Sequence, residues 1–216
     1  MIASTKSASP RMSAEDRRRQ IVEVAAELFS LRGFNGTLTK EIADRAGVSQ
    51  AIIFRHFPNK EAIYSAILDH KVKQAAERIR ERLRDAAGRK DDRAYFGALA
   101  FDLLDLYSKD PSLIRLLLFS ALEAHDLSRM FYKTMSRQVR DHVREYIKQR
   151  IADGAFRQLD PLVSARAFLG MVVHHAQVVA LYPFDDVKIS NRQMAEYFVE
   201  VFLDGVRKSV DPRRAR

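Results

Sequence analysis

Between Thr37 and Lys60 the chain reads Thr-Leu-Thr-Lys-Glu-Ile-Ala-Asp-Arg-Ala-Gly-Val-Ser-Gln-Ala-Ile-Ile-Phe-Arg-His-Phe-Pro-Asn-Lys, an order that few folds accommodate. Ile42, Ala43 and Ala46 fall on one face at helical spacing. Gly47 then supplies the positive φ at which a helix ends at little steric cost. Val48 fills the corner, and Ser49 offers a hydroxyl N-cap to a second helix. That helix stops by Phe57, because Pro58 disfavours the α conformation in the residue before it. Two short helices meet at a tight corner.

Ala43, Gly47, Val48 and Ile53 form the small apolar core of a helix-turn-helix. The outward face of the second helix then carries Gln50, Ala51, Phe54, Arg55 and His56. Amide, aromatic, guanidinium and imidazole groups on one exposed turn suit base edges and phosphates in a major groove. An ordinary αα-corner with a solvated polar face has the same spacing, and these residues alone do not separate the two.

The flanks add a resemblance. Gly33-Phe34, Thr37, Ile42-Ala43, Gly47-Val48-Ser49, Phe54 through Phe57 and Lys60-Glu61 resemble the N-terminal DNA-binding domain of the tetracycline-repressor-like (TetR) transcriptional regulators. The run Phe-x-His-Phe-Pro-Asn-Lys-Glu, directly after a helix-turn-helix, is its most distinctive part. The resemblance implies an all-α protein, with a three-helix helix-turn-helix head and a larger helical body for ligand binding and dimerisation. It divides the chain into a leader over 1–12, a DNA-binding domain over 13–73 with its motif at about 39–57, and a body over 74–216. It implies that Thr37 supports the fold near the DNA backbone, that Thr39 and Lys40 approach phosphates or base edges, and that Lys60 meets phosphate. With Ser49, Gln50, Ala51, Phe54, Arg55 and His56 these make the expected DNA-binding set. Leu38 departs from the pattern, where a second hydroxyl is common, so one phosphate contact is missing. The implied partners are a double-stranded, pseudo-palindromic DNA operator, a second copy of the chain, and a small, largely apolar effector that releases the DNA. No cofactor and no metal are implied.

The rest of the chain fits that layout. Only 8 Gly and 6 Pro occur and 30% of residues are charged, which favours helices. The net charge of +9 divides into +4 over residues 1–60 and +5 over 61–216, denser in the head, as an anionic partner requires. Without cysteine there is neither disulfide nor thiolate metal site, which agrees with a cytoplasmic location. The first residues show no signal-like apolar run; they read as an unstructured leader, with a basic minor-groove arm through Lys6 and Arg11 as the alternative. Ser13 opens a helix that Gly33 closes, with Arg17, Arg18 and Arg19 either on a solvated face or at phosphate. From Lys60 nothing interrupts a helix until Gly88, a rod of about 42 Å at 1.5 Å per residue. Helices over 91–108, from Asp110-Pro111 to 122, over 126–151, from Asp160-Pro161, and from Ser190-Asn191 follow.

Phe101, Leu104, Tyr107, Phe119, Tyr132, Met135, Met171, His174 and Gln177 are the candidate cavity lining, although aromatic and Met residues at this spacing also make plain core. The two C-terminal helices carry more apolar surface than a small body needs. Facing a two-fold copy, Phe168, Val172, Val179, Met194, Phe198, Val201 and Phe202 would build a four-helix interface; the alternative is that both helices are interior. Arg166, His174, His175 and Gln177 argue against a membrane span in the first of them. No Gly-rich phosphate loop, His-Glu-x-x-His or elbow serine occurs, and adjacent His174 and His175 point about 100° apart on a helix, too far to share a metal. An enzyme is therefore not expected. The competing function is a helical small-molecule-binding protein that has lost operator recognition.

Overall fold

The computed structural model describes residues 12–123, 129, 132, 137–182 and 188–207, without the side chains of 68, 72–76 and 78. The expected leader over 1–11 and the start of the helix expected over 126–151 lie outside the described residues. Among the described residues the fold is all-α, in the order α1 (Ala14–Arg32), α2 (Thr39–Arg45), α3 (Gln50–His56), α4 (Lys60–Gly88), α5 (Asp92–Lys109), α6 (Pro111–Leu122), α7 (Arg137–Ala152), α8 (Pro161–Leu181) and α9 (Asn191–Val206).

The boundaries sit where local chemistry places them. Ser13, Ser49, Asn59, Asp110, Asp160 and Ser190 each accept a backbone N–H of the helix that follows. Pro111 and Pro161 occupy the first turn, where a missing N–H costs nothing. Gly47 turns the corner at φ 64°. Gly33 ends α1 at φ 72°, ψ 178°, a region essentially reserved for glycine.

Two apolar cores result. Ile21, Ala25, Phe29, Phe34, Ile42, Ala43, Ile53, Phe57, Ile63, Tyr64 and Ile67 make the core of the head. The body core is aromatic at its centre, where the Phe96 ring lies 4.8 Å from that of Phe168, 4.9 Å from Phe202 and 5.2 Å from Tyr95. α4 serves both: Ile63, Tyr64 and Ile67 pack into the head, while Ile79, Leu83 and Ala86 pack into the body. α6 does the same across its width. Residues two apart on a helix point about 200° apart, so Ile114 enters the body core and Leu116 the head core.

α8 is the one described helix long and apolar enough to cross a membrane by length and composition. Its Ala165, Phe168, Val172 and Ala176 are instead packed in the body core.

Candidate nucleic-acid interface

The head holds α3 outward. Ile53 is its buried anchor, while Gln50, Ala51, Phe54 and Arg55 are exposed on the opposite side. Ser49 Oγ accepts from Ile52 N at the start of α3, where Ser49 and Gln50 are exposed; at the start of α2, Lys40 is exposed and Thr39 half-buried. At the other end, the Arg18 guanidinium donates to the His56 carbonyl at 2.9 Å and lies 4.1 Å from the Phe57 ring centroid. A cation at a helix C-terminus meets the negative end of the helix dipole. Sequence reading left Arg18 between phosphate and solvent; a contact between residues 38 apart has no local signature.

Three members of the expected set are held wholly or partly inside the protein. Thr37 is buried, its hydroxyl donating to the Gly33 carbonyl at 2.9 Å, so it holds the α1–α2 turn. Lys60 is half-buried under that turn: Nζ donates to the Phe34 carbonyl at 2.7 Å and the Thr37 carbonyl at 3.1 Å, and stands 4.1 Å from the centroid of the Phe34 ring. Two of its three protons are thus committed inside the protein. His56 is only partly exposed, with Nε2 buried and unpartnered. Burial first, then the charges of Arg55, Arg18 and Arg17, hold its pKa below the ordinary histidine value, so the ring is neutral at pH 7. Leu38 is exposed. Its backbone N–H donates to Glu41 at 3.0 Å, so the helix start is capped from one side only.

The body is sewn to this head along α6. The Tyr64 hydroxyl donates to the Leu116 carbonyl at 2.8 Å. Glu123, just past the end of α6, accepts from Phe34 N at 3.0 Å and Asn35 N at 3.2 Å. Lys71 of α4 pairs with Asp110 at the start of α6. A side chain on Gly33 would put its Cβ 2.4 Å from Glu123 Oε1, so glycine there permits the close approach as well as the turn.

The expected cavity residues do not converge. Leu104 and Tyr107 belong to the closed body core. Phe119 lies at the head seam, close against Gly33. His174 is exposed, Met171 and Gln177 are half-buried on α8, Tyr132 is exposed, and Met135 lies outside the described residues. Phe101 does line a groove of about 550 Å³ between α5 and α9, where Arg192 covers its ring at 5.3 Å.

The interface set is also divided. Phe168, Val172, Met194 and Phe202 are buried in the core of a single copy, where Phe168 and Phe202 join the ring cluster around Phe96. They are therefore not surface residues. Phe198 is half-buried, edge-on to His175 at 5.8 Å. Val179 and Val201 are exposed as expected, joined by Val163 and Tyr197, which sequence reading did not single out.

An all-α chain that presents an anchored helix-turn-helix on a larger helical body defines the class of two-domain helix-turn-helix regulators. Residues 21–67 match the model of the bacterial regulatory proteins of the tetR family, and residues 102–205 match the AefR-like transcriptional repressor C-terminal domain. The chain belongs to the TetR family. It is 33% identical over 107 residues to the transcriptional activator FasR of Mycolicibacterium smegmatis, covering 50% of this chain and 48% of that protein. It is 24% identical over 163 residues to the nucleoid occlusion factor SlmA of Vibrio campbellii, covering 73% and 80%. The chain thus spans about half the length of FasR, and less of other curated relatives such as YvkB of Bacillus subtilis. Among solved structures, AibR in complex with isovaleryl coenzyme A and operator DNA superposes with a TM-score of 0.68 at 26% identity, covering 86% of this chain and 97% of AibR. The fatty acid degradation regulator FadR of Bacillus halodurans shares the fold at a TM-score of 0.69 and 20% identity.

Proposed function

We propose that the protein is a ligand-responsive, DNA-binding transcriptional regulator that acts in the cytoplasm as a homodimer, without enzymatic activity. The observation that carries the reading is the outward face of α3, where Gln50, Ala51, Phe54 and Arg55 stand exposed on a helix fixed by Ile53 and Arg18. Arg55 and Gln50 suit base edges, and Phe54 suits a thymine methyl. Lys40, Thr39 and the Ser49 end of α3 would supply the phosphate contacts that position a reading helix. Two copies would join through the outer faces of α8 and α9, using Val163, Val179, Tyr197 and Val201, with Phe198 at the edge. The two heads would then read a pseudo-palindrome with half-sites about 34–36 Å apart. We divide the chain into head (13–73) and body (74–216), with α4 common to both.

A small molecule in the body would act through α6. That helix contributes Leu116 to the head core and, through Glu123, holds the turn before α2. A ligand that moves α6 therefore changes the setting of α3, and DNA occupancy must weaken ligand binding by the same factor. AibR, bound to operator DNA and an acyl thioester, supports this pairing of partners. The match of the body to a repressor C-terminal domain supports repression, whereas the likeness to the activator FasR favours activation as a second reading.

A mobility-shift assay with DNA upstream of the chain's own gene tests the proposal. Salt-sensitive, sequence-selective retardation is expected. Equal affinity for unrelated DNA at every salt concentration would leave only a small-molecule-binding protein with an idle head.

A further inference from the structure

One cation of the head is left over when the fold is complete. Arg17 donates to Gln20 and Arg18 to the His56 carbonyl, while Arg19, Arg32 and Arg45 pair with Asp16, Glu41 and Glu27. Among the described residues, Arg55 is the head's arginine with neither hydrogen bond nor ion pair, and it is exposed. Beside it Phe54 is 50% exposed, whereas Phe29, Phe34, Phe57 and Tyr64 are buried. Ala51 lies one turn earlier, three residues from Phe54 and four from Arg55, the spacings at which helix neighbours meet. Its side chain is a single methyl, which leaves room between an apolar ring and a free guanidinium. The pair is also held in a fixed setting, since Ile53 is fully buried and Arg18 holds the His56 carbonyl at the end of α3.

In a major groove a guanidinium bonds guanine O6 and N7, and the apolar feature of the groove is the C5 methyl of thymine. Successive bases of one strand rise by about 3.4 Å, so a ring beside a guanine-bound arginine meets the base next to that guanine. The right-handed twist of the duplex turns the C5 edge of the 5′ neighbour toward the same guanidinium. Thymine fills that place with a methyl group and cytosine leaves it empty. A cytosine methylated at C5 presents the methyl where thymine does.

We propose that Ala51, Phe54 and Arg55 act as one reader of a 5-methylpyrimidine–guanine step, either TpG or a CpG methylated on its cytosine, in each half-site. This rests on the DNA-binding reading above and names the step that the operator must contain. Arg55 takes the guanine, and the C5 methyl of the preceding pyrimidine packs between the Phe54 ring and the Ala51 methyl. Gln50, one turn before Phe54 in the same row, is left for the adjacent base pair. His56 takes no part, because its Nε2 is buried. Where the step is CpG, cytosine methylation becomes an input to operator occupancy that is independent of any ligand in the body.

Selection of bound fragments from random DNA by the full chain, followed by mobility shifts on modified copies of the selected site, tests the reader. A pyrimidine–guanine step at one fixed position of each half-site is expected. In those copies the pyrimidine of the step is thymine, deoxyuridine, cytosine or 5-methylcytosine. Loss of one buried methyl should weaken binding about fourfold, and loss from both half-sites about fifteenfold. Deoxyuridine should therefore bind more weakly than thymine, and 5-methylcytosine more tightly than cytosine. Phe54→Ala, an exposed change, should make thymine equal to deoxyuridine while the preference for guanine persists. Arg55→Ala should relax the guanine instead. Selected half-sites without the step, or equal wild-type affinity for thymine and deoxyuridine, overturn the reader; if binding is still sequence-selective, the regulator reading stands. A methyl preference that survives Phe54→Ala also overturns it. If no fragment is selected above non-specific binding at any salt concentration, the regulator reading falls and the reader falls with it.

Discussion

In the head, α2 and α3 are seven residues each, too short to persist as helices in water, and side chains reaching main-chain atoms from neighbouring elements hold them. Lys60 binds two carbonyls of the α1–α2 turn, Glu123 binds two of its amides, and Arg18 closes the end of α3. In the body, α5, α6, α8 and α9, of 12 to 21 residues, carry their own N-caps, and rings around Phe96 pack the core. The body is stabilised by what its helices bury. The head is positioned by what α1, α4 and α6 reach, so the angle of α3 is set partly from the body. In the proposed regulator, a helix held in this way would respond to a ligand without touching it.

The largest effect should come from the body. Phe96→Ala removes the ring at the centre of the aromatic cluster and should lower stability by about 3–5 kcal/mol, read by urea unfolding. At a temperature where the variant is still folded, DNA affinity should be near wild type if the two cores are as separate as their packing implies. Leu116→Ala should cost less overall, about 3 kcal/mol, yet weaken DNA binding, because this α6 side chain completes the head core. A Leu116→Ala protein that is destabilised but binds DNA normally would break the comparison, showing that the head does not depend on α6.

Lys60→Ala sharpens the contrast inside the head. Loss of two charge-assisted bonds to carbonyls should cost about 2 kcal/mol, with faster amide exchange over residues 34–37. A lysine used this way contributes little to counterion release, so the salt slope of DNA binding should hardly change. A slope reduced by about one, at unchanged stability, would return Lys60 to the phosphate-contact role that its sequence position implies.

That reversal shows what the sequence made legible. Helix order, the Ser, Asn and Asp caps, the prolines in the first turns and the Gly47 corner are local, so they could be read from spacing. The exposed face of α3 was legible for the same reason, since a helix of seven residues anchored by Ile53 leaves little choice of face. Lys60, Arg18 and Glu123 act across 26, 38 and 89 residues, and no periodicity encodes that reach. The body misled for another reason. Phe168, Val172, Met194 and Phe202 satisfy an interface stripe and a core stripe equally well, and only the position of α5 decides between them.

The smallest effect tests the joint itself. Asp110 caps α6 and also pairs with Lys71 of α4, with side chains 33% and 21% exposed. Burial raises its pKa, but the bonds to Lys71 and Ser112 outweigh this and leave the carboxyl below its ordinary value. A depressed carboxylate contributes stability that is complete above the unfolded pKa of about 4 and is lost as pH falls through the lower folded value. Asp110→Asn keeps an N-cap of similar strength and removes only the ion pair. It should cost about 0.5–1 kcal/mol at pH 7 and flatten the stability profile below about pH 4. A larger loss, accompanied by weaker DNA binding, would mean that the α4–α6 tie carries more of the head's orientation than Leu116 does. An unchanged acid profile would mean that Leu116 and Glu123 hold the joint without it.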